Sequence, residues 1–234
     1  RGATPDFHLE IAMHDIQPSD VLMLTRTLDL RDTSSTTLHA LESTFHKHWF
    51  TAFKNMNRQE IEVEDERTGK IKKMPHPDSV AAWAISTGVN VAAAEGLHSK
   101  MRVLFEKSYI TETPAADSVK QMIDNLDNGK HVILSFGKYD SDLDYLLVSN
   151  LLTRKISAVW EQRVNDFRTH GKKEPRHLIL VVEEAHKLLN REMAAQTTFS
   201  TIAREMRKYY VTLMIVDQRP SQIDDEVMSQ LGTR

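Results

Sequence analysis

The second half of the chain contains the clearest hydrophobic pattern, a pair of nearly uninterrupted apolar runs. Residues 178–182 read LILVV and residues 211–216 read VTLMIV, and polar side chains follow each run at once. Short apolar runs bounded by polar residues are typical of parallel strands that are buried on both faces. Residues 131–136, HVILSF, predict another strand of this type, and residues 7–13, FHLEIAM, predict a short one.

Helical periodicity fills the stretches between these runs. Apolar residues recur three and four positions apart from Leu38 to Phe53, in a helix that begins near residues 33–36. Similar patterns cover about 115–128, 142–167 and 193–209. Because strands alternate with helices of about 12 residues or more, the sequence predicts an α/β fold with a mostly parallel sheet.

A charged β-hairpin is predicted at residues 59–74, which read QEIEVEDERTGKIKKM. One arm is acidic, with Ile61 and Val63 alternating with glutamates, and the other is basic, with Gly69 between the two arms. Cross-strand pairs would let the arms neutralise each other's charge. Two interpretations stay open for this hairpin, a solvated protrusion and a contact arm toward DNA or a neighbouring subunit.

Composition narrows the class of protein. With 234 residues, 40% of them apolar and 27% charged, the chain has the composition of a folded protein of one or two domains. It contains no cysteine, which excludes disulfides and cysteine-based zinc or nucleophile sites and fits a reducing, cytoplasmic compartment. A net charge of -3 argues against a globally basic nucleic-acid binder, although local basic loops remain compatible with it. Apolar runs of about five residues are too short to span a membrane.

Two consecutive carboxylates, Glu183 and Glu184, end the first apolar run, and His186 follows them. The carboxyl ends of parallel strands are where α/β sheets bind ligands. One carboxylate there can hold Mg²⁺ while its neighbour orients an attacking water. The pattern predicts a Walker B arrangement, with Glu183 on the metal side and Glu184 as general base. The alternative is a strand that ends in solvated glutamates beside a helix N-terminus.

Polar residues also end the second run, as Asp217, Gln218 and Arg219. The Gln218 amide can donate to a phosphate oxygen and accept from water, so it suits a sensor of the γ-phosphate on the strand beside the carboxylates. A simple turn would explain the same residues taken alone. The two strand ends together favour a nucleotide site more strongly than either does by itself.

A basic cluster precedes the second run. Arg204, Arg207 and Lys208 are spaced three and four residues apart, which predicts one basic helix face. Such a face can simply be solvated. It can also reach the phosphates bound to a neighbouring subunit, as an arginine finger does.

Four motifs in the last quarter of the chain resemble those of a known family. They are EEAH at 183–186, REMRK at 204–208, QRP at 218–220, and Ser229, Gln230 and Thr233. In this order they closely resemble the HerA branch of the HerA/FtsK-like P-loop ATPase superfamily. The resemblance covers residues 178–234 and is weaker upstream. It implies a RecA-like P-loop NTPase core with a mostly parallel sheet.

The resemblance also implies a function and a set of site residues. A member of this family would be an ATP-driven, hexameric DNA translocase or helicase that uses ATP and Mg²⁺. Relatives commonly work with a nuclease partner in DNA end processing or phage defence. By the matching motif positions, Glu184, Gln218 and Arg207 would be catalytic. The nucleotide would be contacted by Glu183, which also faces the metal, and by Arg219 and Arg204.

A division of the chain into three parts follows from the resemblance. Residues 1–30 would be the start of a truncated ATPase core. Residues 31–114 would be a largely helical insertion that carries the 59–74 hairpin. Residues 115–234 would be the ATPase core, with the Walker B and sensor strands.

The chain departs from the family pattern in three places. Position 183 is Glu where many relatives have Asp, and position 217 is Asp where Ser or Thr is common. The sequence also contains no G-x-x-x-x-G-K-[S/T] phosphate-binding loop, which the family carries N-terminal to all these motifs. We therefore expect that loop before residue 1 and expect this fragment alone to be inactive. Two alternatives stay open: a non-catalytic ATPase-like assembly or DNA-binding subunit, and a small metal hydrolase using Glu183, Glu184 and His186.

Overall fold

The computed structural model describes residues 4–64 and 69–230, which combine helices with short sheets. Two compact units are present, residues 1–117 and 118–234. Within the described residues each sheet has two strands, and two of these pairs are parallel while the third is antiparallel. This mixture agrees with the predicted α/β fold. The three-part division at residues 30 and 114 stays a prediction.

The first unit is mainly helical, and its core is aromatic. Its elements are β1 (Ile11–Ala12), α1 (Pro18–Met23), α2 (Thr33–Phe45), α3 (Trp49–Asn55), β2 (Glu60–Glu64), β3 (Ile71–Pro75), α4 (Val80–Thr87), α5 (Val91–Phe105) and β4 (Ile110–Thr111). Phe50 and Phe53 of α3 meet Phe105 of α5 edge to face, with ring centroids 5.3 and 6.2 Å apart. This geometry suits the opposite charges of ring edges and faces and adds to the burial of apolar area.

Local periodicity overestimated two elements of this unit. The helix predicted to run through Phe53 is interrupted at His46–His48, a 3₁₀ turn in which His46 has a left-handed φ of 50°. Its apolar stripe is nevertheless buried, because α2 and α3 both turn that side inward. The strand predicted at residues 7–13 shortens to Ile11–Ala12, since only these two residues pair with β4.

The predicted hairpin is confirmed. β2 and β3 pair antiparallel. In this register Glu62 lies opposite Lys73, whereas Glu60 and Glu64 lie opposite Pro75 and Ile71, so one acidic–basic pair faces across the described strands. Every residue of β2 is exposed. Residues 65–68, at the predicted turn, lie outside the described residues.

One buried histidine makes the first unit sensitive to pH. His98 of α5 is 8% exposed, and its ring lies 5.0 Å from that of Phe53 and 5.5 Å from that of Phe105. Burial lowers the pKa of His98 below its ordinary value, an effect that the backbone of Phe53 opposes in part. The neutral imidazole is therefore the form that the folded core prefers.

We expect the first unit to lose stability as the pH falls below about 6.5, the ordinary pKa of histidine. Unfolded chains take up a proton on His98 there and folded chains resist it, so the free energy of unfolding decreases from that pH down to the folded pKa. Denaturation midpoints at pH 7.5 and 5.5 measure the effect. His98→Leu should reduce the difference between them, whereas His48→Gln, at an exposed position, should preserve it. Equal differences in the parent and His98→Leu would contradict the assignment.

The second unit is built around one long helix. Its elements are α6 (Ser118–Asp127), α7 (Asp142–His170), β5 (Leu178–Glu183), α8 (His186–Leu189), α9 (Phe199–Glu205), β6 (Val211–Val216) and α10 (Asp225–Gln230). The side chain of Ser141 caps the start of α7, and Gly171, with a left-handed φ of 62°, ends it. None of the helices among residues 4–64 and 69–230 is long and apolar enough to cross a bilayer.

Polar contacts fix the segments that lead into the two strands of the site. The Trp160 indole of α7 donates to the carbonyl of Arg176, 2.9 Å away, just before β5. Asn150 of α7 donates to the carbonyl of Gln196 at 2.7 Å and accepts from the backbone N–H of Thr198 at 3.0 Å. Because Asn150 is 1% exposed, water does not compete for these bonds. α7 therefore holds the segment just before β5 and the segment just before α9, the helix that precedes β6.

The two long apolar runs form the predicted parallel pair, but the prediction of burial on both faces is wrong. In the register of this pair, Leu178 lies opposite Val211 at one end and Glu183 lies opposite Val216 at the other. One face packs against the helices of the unit. The other leaves Ile179 59% and Met214 51% exposed.

The prediction of a strand at residues 131–136 is also wrong. This segment has no strand pairing, and its Ile133 is 91% exposed. An apolar segment forms a strand only when a neighbouring strand pairs with its backbone N–H and C=O groups. The periodicity of the sequence does not show whether such a neighbour is present.

Candidate functional site

The carboxyl ends of β5 and β6 bring the predicted site residues to one edge of the sheet. Glu183, the last residue of β5, lies opposite Val216, the last residue of β6. Glu184 and Asp217 therefore leave the sheet side by side. Both strands run in the same direction, so this is the end at which parallel sheets present ligand-binding groups.

A sharp turn carries Glu184 out of the sheet. Glu184 has a left-handed φ of 50°, Ala185 is right-handed helical, and α8 begins at His186. A left-handed conformation costs a non-glycine residue about 1–2 kcal/mol, so it persists only where surrounding contacts enforce it. The Glu184 side chain is 52% exposed and remains accessible to a ligand or to water.

This turn is held by the hydrogen bond from the backbone N–H of Lys187 to the Glu184 carbonyl and by contacts with Asp217. Its Oδ2 accepts a hydrogen bond from the backbone N–H of His186 at 2.7 Å and another from the imidazole Nδ1 at 2.8 Å. Its Oδ1 accepts the backbone N–H of Arg219. The Asp217 side chain is 3% exposed. One buried carboxylate thus ties the turn after β6 to the turn after β5.

The protonation state of Asp217 suits this role. Burial raises the pKa of Asp217, but the hydrogen bonds from the backbone of His186 and Arg219 and from the His186 ring outweigh that effect. The pKa of Asp217 therefore lies below its ordinary value. At neutral pH the group is ionised and acts only as an acceptor.

His186 links Asp217 to the predicted general base. Because the ionised Asp217 cannot donate, the imidazole Nδ1 must carry the proton that joins them. The other ring nitrogen, Nε2, lies 3.8 Å from Oε2 of Glu184. The His186 side chain is 16% exposed, so its ring orientation is set by these neighbours more than by solvent.

Gln218 and Arg219, the predicted sensor and nucleotide contact, directly follow Asp217, and both side chains are exposed. The structure thus brings them to the same sheet edge as Glu183 and Glu184. Ser229 and Gln230 of the last motif end α10, while Thr233 lies outside the described residues.

Two of the three predicted arginines, Arg204 and Arg207, lie elsewhere. Arg204 is in α9 and pairs with Glu205 at 3.4 Å, and the exposed Arg207 is in a 3₁₀ turn, Met206–Tyr209, that precedes β6. The single helix face predicted for them is interrupted because α9 ends at Glu205. A six-residue strand is about 17–20 Å long. Arg207 therefore precedes the amino end of β6, whereas Glu184 and Gln218 lie by the carboxyl ends of the pair.

A metal at this edge would depend on other ligands besides the protein. No group of three or more metal-ligating side chains occurs in the part of the chain that the structure describes. Mg²⁺ commonly takes one or two carboxylates and completes its octahedron with water and phosphate oxygens. The exposed carboxylate of Glu183, at the strand end, fits a site of that kind.

Sequence reasoning missed the role of Asp217. The sequence pattern identifies Asp217 only as a polar residue at a strand end and a departure from the family, and His186 only as part of the EEAH motif and of the alternative metal hydrolase. The two residues are 31 positions apart. Only the pairing register of β5 and β6 brings them together, and no local pattern reports register.

Comparison with known proteins supports the resemblance. No family model matches the chain. The DNA double-strand break repair helicase HerA of Sulfurisphaera tokodaii is 34% identical over 115 residues, which is 48% of this chain and 22% of that protein. The protein of the same name from Saccharolobus solfataricus gives the same values. The probable DNA double-strand break repair helicase HerA of Methanocaldococcus jannaschii is 34% identical over 107 residues, 45% of this chain and 21% of that protein.

These matches confirm the resemblance to the HerA branch of the P-loop ATPase family. They extend over about half of this chain. The chain spans about a fifth of the length of each of these relatives.

Proposed function

We propose that this chain is part of an ATP-driven DNA translocase or helicase motor of the HerA type, with a RecA-like core. The observation that carries the proposal is the shared sheet edge, where Glu183 and Glu184 end β5 and Gln218 follows β6. The relatives, named as DNA double-strand break repair helicases, support the same class of activity.

Each residue at this edge has a role in hydrolysis. The exposed carboxylate of Glu184 takes the proton of the attacking water as general base. The Gln218 amide donates to a γ-phosphate oxygen and accepts from that water, which orients it. Glu183 is the residue that would hold Mg²⁺, and Mg²⁺ when bound neutralises charge on the phosphates. Arg219 lies within one residue of Gln218 and contacts the nucleotide.

The proposal needs groups that this sequence does not contain. Because no phosphate-binding loop occurs in it, we propose that another part of the protein cradles the β- and γ-phosphates. Arg204 and Arg207 would serve the nucleotide of an adjacent protomer in a homo-hexamer. The same proposal includes DNA as substrate, a nuclease partner in DNA end processing or phage defence, and a cytoplasmic location.

The second candidate is a non-catalytic ATPase-like assembly or DNA-binding subunit. The missing phosphate-binding loop is the observation that favours it. Such a subunit would keep the sheet and the conformation of the site while losing turnover.

ATP hydrolysis by the 234-residue chain and by the intact protein separates the two candidates. We expect the chain alone to turn over ATP no faster than background, because nothing in it replaces the phosphate-binding loop. We expect the intact protein to hydrolyse ATP and DNA to stimulate it. Robust turnover by the monomeric chain would point to a different site. An intact protein that binds DNA without any turnover would favour the non-catalytic subunit.

A further inference from the structure

We propose that Asp217 is a positioning residue that couples the two strand ends of the site. Through His186 it holds the turn that carries Glu184, and through its Oδ1, which accepts the N–H of Arg219, it holds the backbone around Gln218. The geometric part of this inference stands on the contacts of the described residues. Its consequence for catalysis rests on the proposed function.

Two hydrogen bonds that His186 donates to the same carboxylate oxygen restrict it more than either would alone. The backbone N–H at 2.7 Å fixes the start of α8, and the Nδ1 bond at 2.8 Å fixes the ring. With the Asp217 side chain 3% exposed, water cannot replace either donor. Both the main chain and the imidazole of His186 therefore follow the position of Asp217.

The second oxygen of the carboxylate extends this constraint to the sensor turn. It accepts the N–H of Arg219 and so closes the backbone around Gln218. A movement of Gln218 toward or away from a phosphate displaces Asp217, because the two are adjacent in the chain. That displacement reaches His186 directly through its backbone N–H and ring, and reaches Glu184 through the short backbone turn that joins residues 184 and 186.

Asp224, in the same unit, has a side chain whose hydrogen bonds are local within the described part of the chain, whereas its backbone N–H donates to the carbonyl of Leu189 and would keep that bond in an alanine variant. Its side chain accepts the backbone N–H groups of Glu226 at 3.0 Å and Val227 at 3.3 Å, all within three residues. Asp217 instead reaches a residue 31 positions away on the neighbouring strand end. A local cap orders its own turn, whereas Asp217 makes two turns dependent on each other. Asp224 is therefore the matched control.

The first test measures the positioning without any catalysis. Long-range ¹H–¹⁵N NMR of the 234-residue chain reports which ring nitrogen of His186 carries the proton. We expect Nδ1–H in the parent and loss of that preference in Asp217→Ala, while Asp224→Ala leaves the His186 signals unchanged. Asp217→Asn, which keeps one oxygen acceptor, serves if the alanine variant does not fold, and we then expect shifted His186 signals. Parent-like signals in every folded Asp217 variant would overturn the positioning.

The second test measures the coupling in the intact protein. Asp217→Ala should lower kcat about 10- to 100-fold, the range seen when a supporting hydrogen bond is lost or a reacting group is misplaced. Asp217→Ala should leave the ATP affinity within about twofold of the parental value. The control Asp224→Ala should leave both the ATP affinity and kcat at the parental values. His186→Asn, whose amide can replace Nδ1, should retain more activity than His186→Gln, whose amide replaces Nε2.

The outcomes separate this inference from the proposed function. Altered His186 signals with unchanged kcat in Asp217→Ala would overturn the coupling and leave hydrolysis intact. An intact parent protein that never hydrolyses ATP would count against the proposed function, and the NMR comparison would still decide whether Asp217 positions His186.

Discussion

Replacing Glu184 by glutamine should abolish ATP turnover in the intact protein and leave nucleotide binding unchanged. The amide keeps the size and hydrogen-bonding reach of the side chain but cannot accept the proton of the attacking water. General-base catalysis typically contributes about 10²–10⁴-fold to the rate, so the rate of ATP turnover should fall by a factor in that range or more. Steady-state phosphate release and equilibrium binding of a labelled nucleotide measure the two properties separately.

The surroundings of Glu184 indicate that this substitution removes the carboxylate without disturbing the turn. Glu184 is half exposed, and glutamine does not differ from glutamate at Cβ, so the left-handed turn is not further strained. Glu192→Gln, the same change at an exposed residue beyond α8, is the control and should retain parental turnover. Near-parental rates in Glu184→Gln would show that Glu184 is not the base and that the Walker B assignment fails.

Arg207→Ala should yield a protein that assembles and binds ATP but has lost most turnover. Arg207 is exposed and precedes the amino end of β6, a strand length away from the carboxyl end that Gln218 follows. A side chain in that position lies far from the carboxyl ends of its own strands, which is why we propose that it serves a neighbouring protomer. An arginine finger is typically worth about 10³–10⁵ in rate, because it neutralises charge that develops on the transferred phosphoryl group.

Mixed assemblies decide whether Arg207 acts in trans. A protomer with Arg207→Ala keeps its own Glu184 and can receive an intact Arg207 from a Glu184→Gln neighbour. Mixing the two inactive variants should therefore restore part of the turnover.

Lys208→Ala is the charge-matched control for the arginine. It removes the neighbouring cation, which stacks over Tyr209 at 5.0 Å, and should leave turnover near the parental rate. No recovery at any ratio, with mixed rings verified, would place Arg207 in cis or in a structural role. Arg204 and Arg219 would then be tested in the same way.

The elements that could be predicted in both units are those whose signals are local. Two apolar runs ending in polar residues were enough to predict β5 and β6, and the charge alternation of residues 59–74 was enough to predict the hairpin. The failures share a cause. Residues 131–136 have the composition of a strand but no partner, and the break at His46 depends on how α2 and α3 pack. Neither can be deduced from a window of neighbouring residues.

The site follows the same rule. Spacing and strand ends identified Glu183, Glu184 and Gln218 as candidates that the structure places at one sheet edge. The bond between Asp217 and His186 depends on the register of two strands, and the left-handed Glu184 lies in the turn that leads to His186. Their roles in catalysis stay predictions until the variants are measured.

The left-handed backbone at Glu184 divides the substitutions that this position can accept into two kinds. Glycine, asparagine and aspartate adopt such a conformation most readily, so they should fold there even though none of them places a carboxylate where glutamate does. Valine and isoleucine are crowded at Cβ and resist it. In a library with every residue type at position 184, selection for folding and selection for ATP turnover would retain different subsets of residues. Glutamate would be enriched only by the selection for turnover.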